Sequence, residues 1–568
     1  MNYINRFFQV TLASLIIVIS GCETTDLDLT ADPNALGPDQ ASTTLFMNSI
    51  QQDFGQWIAT VEDEASEASR ILQNNDNDYA NAFTGPTNFD NAWSEAYQQM
   101  LQDIRTMNPL AEDPEIDQAI HVAMGKFFEA YIITTLVDLF GDVPYSEALQ
   151  GNENFNPGVD DGAAIYAAAQ TLLDEAIAGF RRNTDDDDDN DVVSLPNDLY
   201  YGGNWENWIR AANSLKMKLY LTTRLVDGGA AASFDAIVAS GEFIEETSQD
   251  LQWQWGNSIT NPDTRHPRYT LHYTPSGVGG GYMSNWLMDY MMFDKVGNGI
   301  STYEGRDSRM KYYFYRQSPV ISSNPNDIAC IIQPAPAHFA ADEVYCTLPD
   351  GYWGRDHGNN RGIPPDTQSR TAYGVYPVGG LFDDNTFNPI VSITQGGGGA
   401  GITPMILASY VDFMRAEMAL VAGNSTLAGT LIQDGVTKSF AKVRTFSSVD
   451  AGADLSTEPA TSDDDAYVAE LGQIFANAAS DDERMDILGS EYFVTLFGNG
   501  LEGYNFYRRT GRPSTLQVHF FATPGPYFRT FLYPSRFVER NESTEQKTSV
   551  ANPPFWGEGV TLMAPGDI

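Results

Sequence analysis

The chain has 568 residues, 42% of them apolar and 12% aromatic, enough for one large core or several small ones. Its 76 acidic and 32 basic side chains leave a formal net charge of -44, which excludes nucleic acid and anionic lipid surfaces as partners held by broad electrostatics. The same field disfavours a strongly anionic ligand unless a local basic pocket overrides it, and an acidic exterior suits a salty medium where screening is short-ranged.

The first 21 residues predict an export signal: Arg6, then an apolar run from Phe7 to Ile19, then the small pair Ser20 and Gly21. The run is too short to span a bilayer. Cys22 follows directly, and this spacing resembles a bacterial lipobox, which implies that Cys22 is acylated and becomes the mature N-terminus. Glu23, Asp26 and Asp28 sit close behind it among threonines. They resemble, loosely, the acidic residues that send Bacteroidetes-type lipoproteins to the outer surface. Residues 22–40 read as a polar tether, and no later apolar stretch continues uninterrupted for the roughly 20 residues a membrane span needs.

From Ala41 to about Val226 the pattern is helical. Ile120, Met124, Phe127, Phe128, Tyr131, Thr135 and Leu139 recur at three- and four-residue steps and predict one broad apolar face, with Gly141 and Pro144 stopping the helix. Ala163–Phe180 and Asn207–Val226 predict two more helices, and paired helices joined by short turns suggest tetratricopeptide-like repeats. The run Asp185 to Asp189, continued by Asn190 and Asp191, reads as a solvated linker or as a calcium attractor that lacks the usual glycine. The middle of the chain, 230–403, is rich in Gly, Pro, Asn and aromatic residues, and only Met283–Phe293 reads there as a helix. Helices return at Pro404–Ala422, Thr426–Val443, Ala466–Ala478 and Met485–Phe506, and the tail 512–568 reads as irregular. The predicted architecture is therefore one mostly α domain over 41–568: a helical scaffold (41–229 and 404–511) presenting a loop-rich, aromatic-rich excursion.

Besides Cys22 only Cys330 and Cys346 remain. In an exported protein they are expected to pair, closing a Pro-rich loop for roughly 3 kcal/mol of stabilisation; two free buried thiols are the other reading.

Several stretches together resemble the SusD/RagB family of nutrient-binding outer-membrane lipoproteins. They are Glu129-Ala130-Tyr131 through Leu139-Phe140-Gly141-Asp142-Val143-Pro144-Tyr145, then Asp174-Glu175-Ala176-Ile177. Asp198-Leu199-Tyr200-Tyr201-Gly202-Gly203, Trp205 and Ala212-Asn213-Ser214-Leu215-Lys216 follow. Further on come Trp353-Gly354-Arg355-Asp356-His357-Gly358, Gly374-Val375-Tyr376-Pro377, Asn499-Gly500, Tyr504, Tyr507-Arg508-Arg509-Thr510-Gly511 and Leu532-Tyr533-Pro534-Ser535. The resemblance implies a SusD-like fold on four tetratricopeptide-like helix pairs and no catalytic activity. It also implies a SusC-like TonB-dependent transporter as partner, over which the protein sits as a hinged lid delivering oligosaccharides, or in some members peptides.

Sugar rings present apolar C–H faces and many hydroxyls, so a site for them wants aromatic planes flanked by polar side chains. The excursion supplies Trp353, Trp286, Tyr282, Tyr269 and Tyr303 as candidate platforms, with Arg355, Asp356 and His357 as polar partners. The competing readings are that Trp286 is core at helical spacing to Tyr290 and that the Trp353 segment is a structural turn. Trp253 and Trp255 are expected to pack one face of a strand. Tyr79, Phe83 and Phe89 form a second patch, or cap the next helix. The alternatives in function are capture of peptides or another nutrient, and, more remotely, a surface glycoside hydrolase. The six histidines include no HExxH pair, no Gly-x-Ser-x-Gly elbow occurs, and carboxylate pairs prove nothing among 76 acids. Neither a cofactor nor a metal is expected, and no catalytic residue is nominated.

Overall fold

The computed structural model describes residues 42–75, 78–79, 89–182, 195–274, 281–292, 307–361, 369–564 and 567. The export signal, Cys22 and its tether, Phe83, the acidic run at 185–191 and Tyr303 lie outside the described residues.

The periodic stretch around Phe127 forms the helix Ala119–Phe140, in which every residue except Lys126 is buried. One apolar face was expected, yet neighbours cover the helix all round: Thr43–Ala68 and Gln102–Ala111 before it in the chain, Gly162–Arg181 after it. Its apolar length would suffice to cross a membrane, but here that length is core. Asp161 starts the next helix, Gly162–Arg181, by accepting from the Ala163 and Ala164 amides at 2.8 and 3.2 Å, which satisfies donors the helix cannot use itself. That helix packs in turn on Trp205–Thr223, and this one on Ala230–Ser240. Ala408–Val421 and Ser425–Phe446 form another antiparallel neighbour pair, joined by Thr461–Asn477 and Asp481–Thr495. The scaffold is thus the expected helical-repeat architecture.

Three expectations about elements are corrected. Ile402–Ile406 is a strand, antiparallel to Leu251–Gln254, so the helix expected from Pro404 begins only at Ala408. The helix expected over Met485–Phe506 is two, Asp481–Thr495 and Gly500–Thr510. Gly498 breaks it at φ +93°, a conformation that costs a side-chain-bearing residue strain, and the Asn499 side chain then caps the second helix on the Glu502 amide. Among the described residues the excursion holds three unexpected helices, Ala230–Ser240, Pro267–His272 and the single turn Met310–Tyr313, beside Asn285–Met292. Trp253 lies on the short strand as expected, with Trp255 one residue past its end.

The family-like turns are fasteners. The Asp142 carboxylate accepts from the Gly162 amide, the Tyr97 and Tyr533 hydroxyls donate to the Pro144 and Asp142 carbonyls, and Asp198 gathers the Tyr200, Tyr201 and Gly203 amides and the Trp208 indole. Arg509 makes a two-pronged pair with Glu417 at 2.9–3.2 Å and reaches Glu502 at 3.0 Å. Arg70, wholly buried, pairs with Asp567 at 2.7 Å, and the Tyr79 and Tyr507 hydroxyls donate to the same carboxylate. A pair in this setting fixes register more surely than it adds stability, because desolvation offsets its attraction.

Candidate functional site

Three segments far apart in sequence meet in the excursion. The Arg355 amide donates to the Met283 carbonyl and the Asn285 amide to the Arg355 carbonyl, both at 3.0 Å, while the Thr371 amide donates to Trp353 at 2.9 Å. Gly354 permits this approach, since a Cβ there would lie 2.0 Å from the Met283 carbonyl oxygen. Cys330 and Cys346 form the expected disulfide, and the Trp353 indole donates to the Cys346 carbonyl at 2.9 Å. Tyr282, Ile328, Cys346 and Trp353 make a small apolar cluster separate from the main core.

The candidate platforms are not open faces. Trp353 and Tyr282 are 3% and 6% exposed and meet edge to face at 5.7 Å, with the Arg355 guanidinium 4.5 Å above Tyr282 and 5.8 Å from Trp353. Trp286 stacks on Tyr290 at 6.0 Å and turns an edge to Phe493. Tyr269 lies in a different cluster, stacked on Tyr273 at 4.5 Å, its hydroxyl donating to the Gln395 carbonyl. In the second patch, Phe89 packs on Phe140 and Phe531, and Tyr79 is in the core.

Asp356 and His357 are interior groups. Asp356 accepts from the Cys346 amide, the Asn285 amide group and the Gln517 amide group at 3.0, 2.8 and 3.2 Å; burial pushes its carboxyl up, against the pull of those donors. The His357 ring meets the Tyr79 hydroxyl at 3.0 Å, and burial, helped by Arg70 and His519, holds its pKa well below the ordinary value, so it is neutral. His266, which caps the helix Pro267–His272, is pushed down to about 3 by burial.

Two clefts open on either side of the Asn285–Trp286 step. One is a narrow slot of about 20 Å³ beside the disulfide, walled by Asn285, Cys346, Trp353, Arg355, Asp356 and Arg361. The other, of about 160 Å³, is walled by Trp286, Asp289, Tyr290, Asp342, Glu343 and Thr515. The slot therefore brings together Trp353, Arg355 and Asp356 of the expected set, the second cleft takes Trp286, and Tyr269 and His357 belong to neither. Asn285, Arg361, Asp342 and Glu343 were not anticipated. The disulfide was the available signal, since 342–346 must follow Cys346 to wherever Cys330 holds it. The Glu343 carboxylate accepts from the Val518 amide at 3.1 Å, and burial pushes its pKa up. Aromatic edges, amide groups, carboxylates and guanidinium groups around two open clefts can bind a hydroxyl-rich ligand. Among the described residues, no three His, Cys, Asp or Glu side chains converge to hold a metal ion.

This helical-repeat scaffold with its long loop-rich insertion has the fold of solved SusD homologues. Residues 33–294 match the SusD-like family model described as starch-binding associating with outer membrane. A SusD/RagB family protein from Bacteroides thetaiotaomicron superposes with a TM-score of 0.66 at 15% identity, covering 92% of this chain and 100% of that one. A chitin-binding protein gives 0.63 at 17% identity over 92% and 100%, and a chitin-binding SusD homologue from Flavobacterium johnsoniae gives 0.59 at 16% over 91% and 99%. No curated protein matches the chain in sequence.

Proposed function

We propose that this protein binds glycans at the cell surface and passes them to a SusC-like TonB-dependent transporter, acting as its hinged lid while a lipid on Cys22 holds it to the outer membrane. The observation that carries the reading is the pair of clefts about the disulfide-closed loop, on a fold whose family description is of starch binding at the outer membrane. The chitin-binding names of two structural relatives support a glycan as ligand. The polar groups of the clefts suit hydroxyl rims, and the aromatic edges suit apolar ring faces. The role is capture without catalysis.

Electrophoresis of the purified protein through native gels containing starch, chitin fragments and a panel of plant and algal polysaccharides tests the reading. Retardation by at least one polymer is expected. If none retards it while short peptides bind in calorimetry, the same scaffold captures peptides instead. Release of reducing sugar from any polymer would overturn the non-catalytic role.

A further inference from the structure

We propose that the mouth of the slot beside the disulfide, where Arg361 is exposed, selects glycans bearing an anionic group, a carboxylate or a sulfate, and that Arg361 pairs with that group. This rests on the glycan reading above and narrows it to a substrate class. The slot is walled by two guanidinium side chains, Arg355 and Arg361, against one carboxylate, Asp356. Asp356 is spent internally on the Cys346 amide, Asn285 and Gln517, and the buried Arg355 is engaged by the Asn359 and Arg361 carbonyls, so the charge exposed at the opening is that of Arg361.

Arg361 is exposed, and its backbone is set from both sides. Its amide donates to the Asn359 side chain at 3.1 Å, and its carbonyl accepts from the Arg355 guanidinium at 3.2 Å. Its guanidinium carbon lies 4.8 Å from the centre of the Phe521 ring and 5.2 Å from that of Phe520. Lying against rings covers the flat face of a guanidinium and leaves the in-plane N–H groups outward, the fork that fits a carboxylate or sulfate. Arg70, Arg309, Arg316 and Arg509 each hold a carboxylate, whereas Arg361 has no carboxylate partner among the described residues. The global charge opposes an anionic polymer only at long range, and in saline that repulsion fades beyond about 8 Å.

The test uses native gels and calorimetry with polygalacturonate and alginate as carboxylated probes, carrageenan as a sulfated one, and starch and laminarin as neutral ones. The wild-type protein is expected to bind at least one acidic polymer. Arg361→Gln should weaken that binding about tenfold, the scale of one lost charge-assisted hydrogen-bond pair. Arg361→Lys, which keeps the charge and loses the fork, should fall between. Arg361 is exposed, so a thermal melt matching the wild type verifies that the variants fold. Binding of neutral polymers alone, or acidic binding untouched in Arg361→Gln, overturns the anionic assignment and leaves the glycan reading standing. No binding to any polymer overturns both. The carboxylated and sulfated arms tell the two anions apart.

Discussion

Trp353 is a residue whose role changes with its surroundings. Read in sequence beside Arg355, Asp356 and His357 it is a stacking platform; in the fold its faces are taken by Tyr282 and Arg355 and its indole by the Cys346 carbonyl. Trp353→Ala should therefore act first on stability, costing about 3–5 kcal/mol through the cavity it leaves, seen as a lower urea midpoint. An unchanged midpoint with lost glycan binding would restore the platform role. The composition of the motif was legible from the chain alone, but the covering of its rings was not. That covering is supplied in part by Tyr282, a residue far away in sequence that carries no local mark. Arg361 was missed for the opposite reason: a single arginine in a polar turn gains meaning only when Phe520 and Phe521 are folded beneath it.

At the scale of elements, the helix Thr43–Ala68 carries Glu62 into the core against the start of Gly500–Thr510, where it accepts from the Leu501 amide at 2.8 Å. Burial pushes its carboxyl from 4.5 up to about 8, against the pull of Leu501 and Lys218 and with the push of Glu502. Below the unfolded value both states keep the proton and the group is silent. As pH rises through the window up to the folded value the unfolded chain ionises first, so stability falls by at most about 1.4 kcal/mol per pH unit, then levels off. Glu62→Gln should flatten the decline measured by urea unfolding between about pH 5 and pH 8; equal slopes in the two proteins would discard Glu62 as its source. The disulfide acts on a different element. Cys330 and Cys346 hold a satellite cluster rather than the scaffold, so Cys330→Ser with Cys346→Ser should open residues 330–346 to limited proteolysis, with early cuts located by mass spectrometry. Protease resistance equal to the wild type would show that packing alone shapes the loop. Helices such as Ala119–Phe140 were legible because periodicity is local. Ile402–Ile406 was not, since its run of apolar residues has no period and its partner strand lies about 150 residues earlier.

At the scale of the whole molecule, the slot beside the disulfide rests on a cluster separate from the main core, whereas Trp286 and Tyr290 of the second cleft belong to that core. A Cys22→Ala protein should bind glycan in solution as the wild type does, yet fail to support growth on that glycan, measured as uptake by cells carrying the variant alone. Normal uptake would remove the anchor from the account. The net charge was legible and leaned away from acidic ligands. It could not reveal a locally positive slot, because a sum over all side chains has no address.

The buried pairing of Arg70 with Asp567 spans 497 positions. A nascent chain threaded across a membrane in amino-to-carboxyl order holds Arg70 without its counter-charge until residue 567 has emerged. Until then an uncompensated buried cation would cost several kcal/mol, enough to keep the early segments from settling around it. The Arg70 pair is therefore a contact this fold can close only once its C-terminal stretch is available.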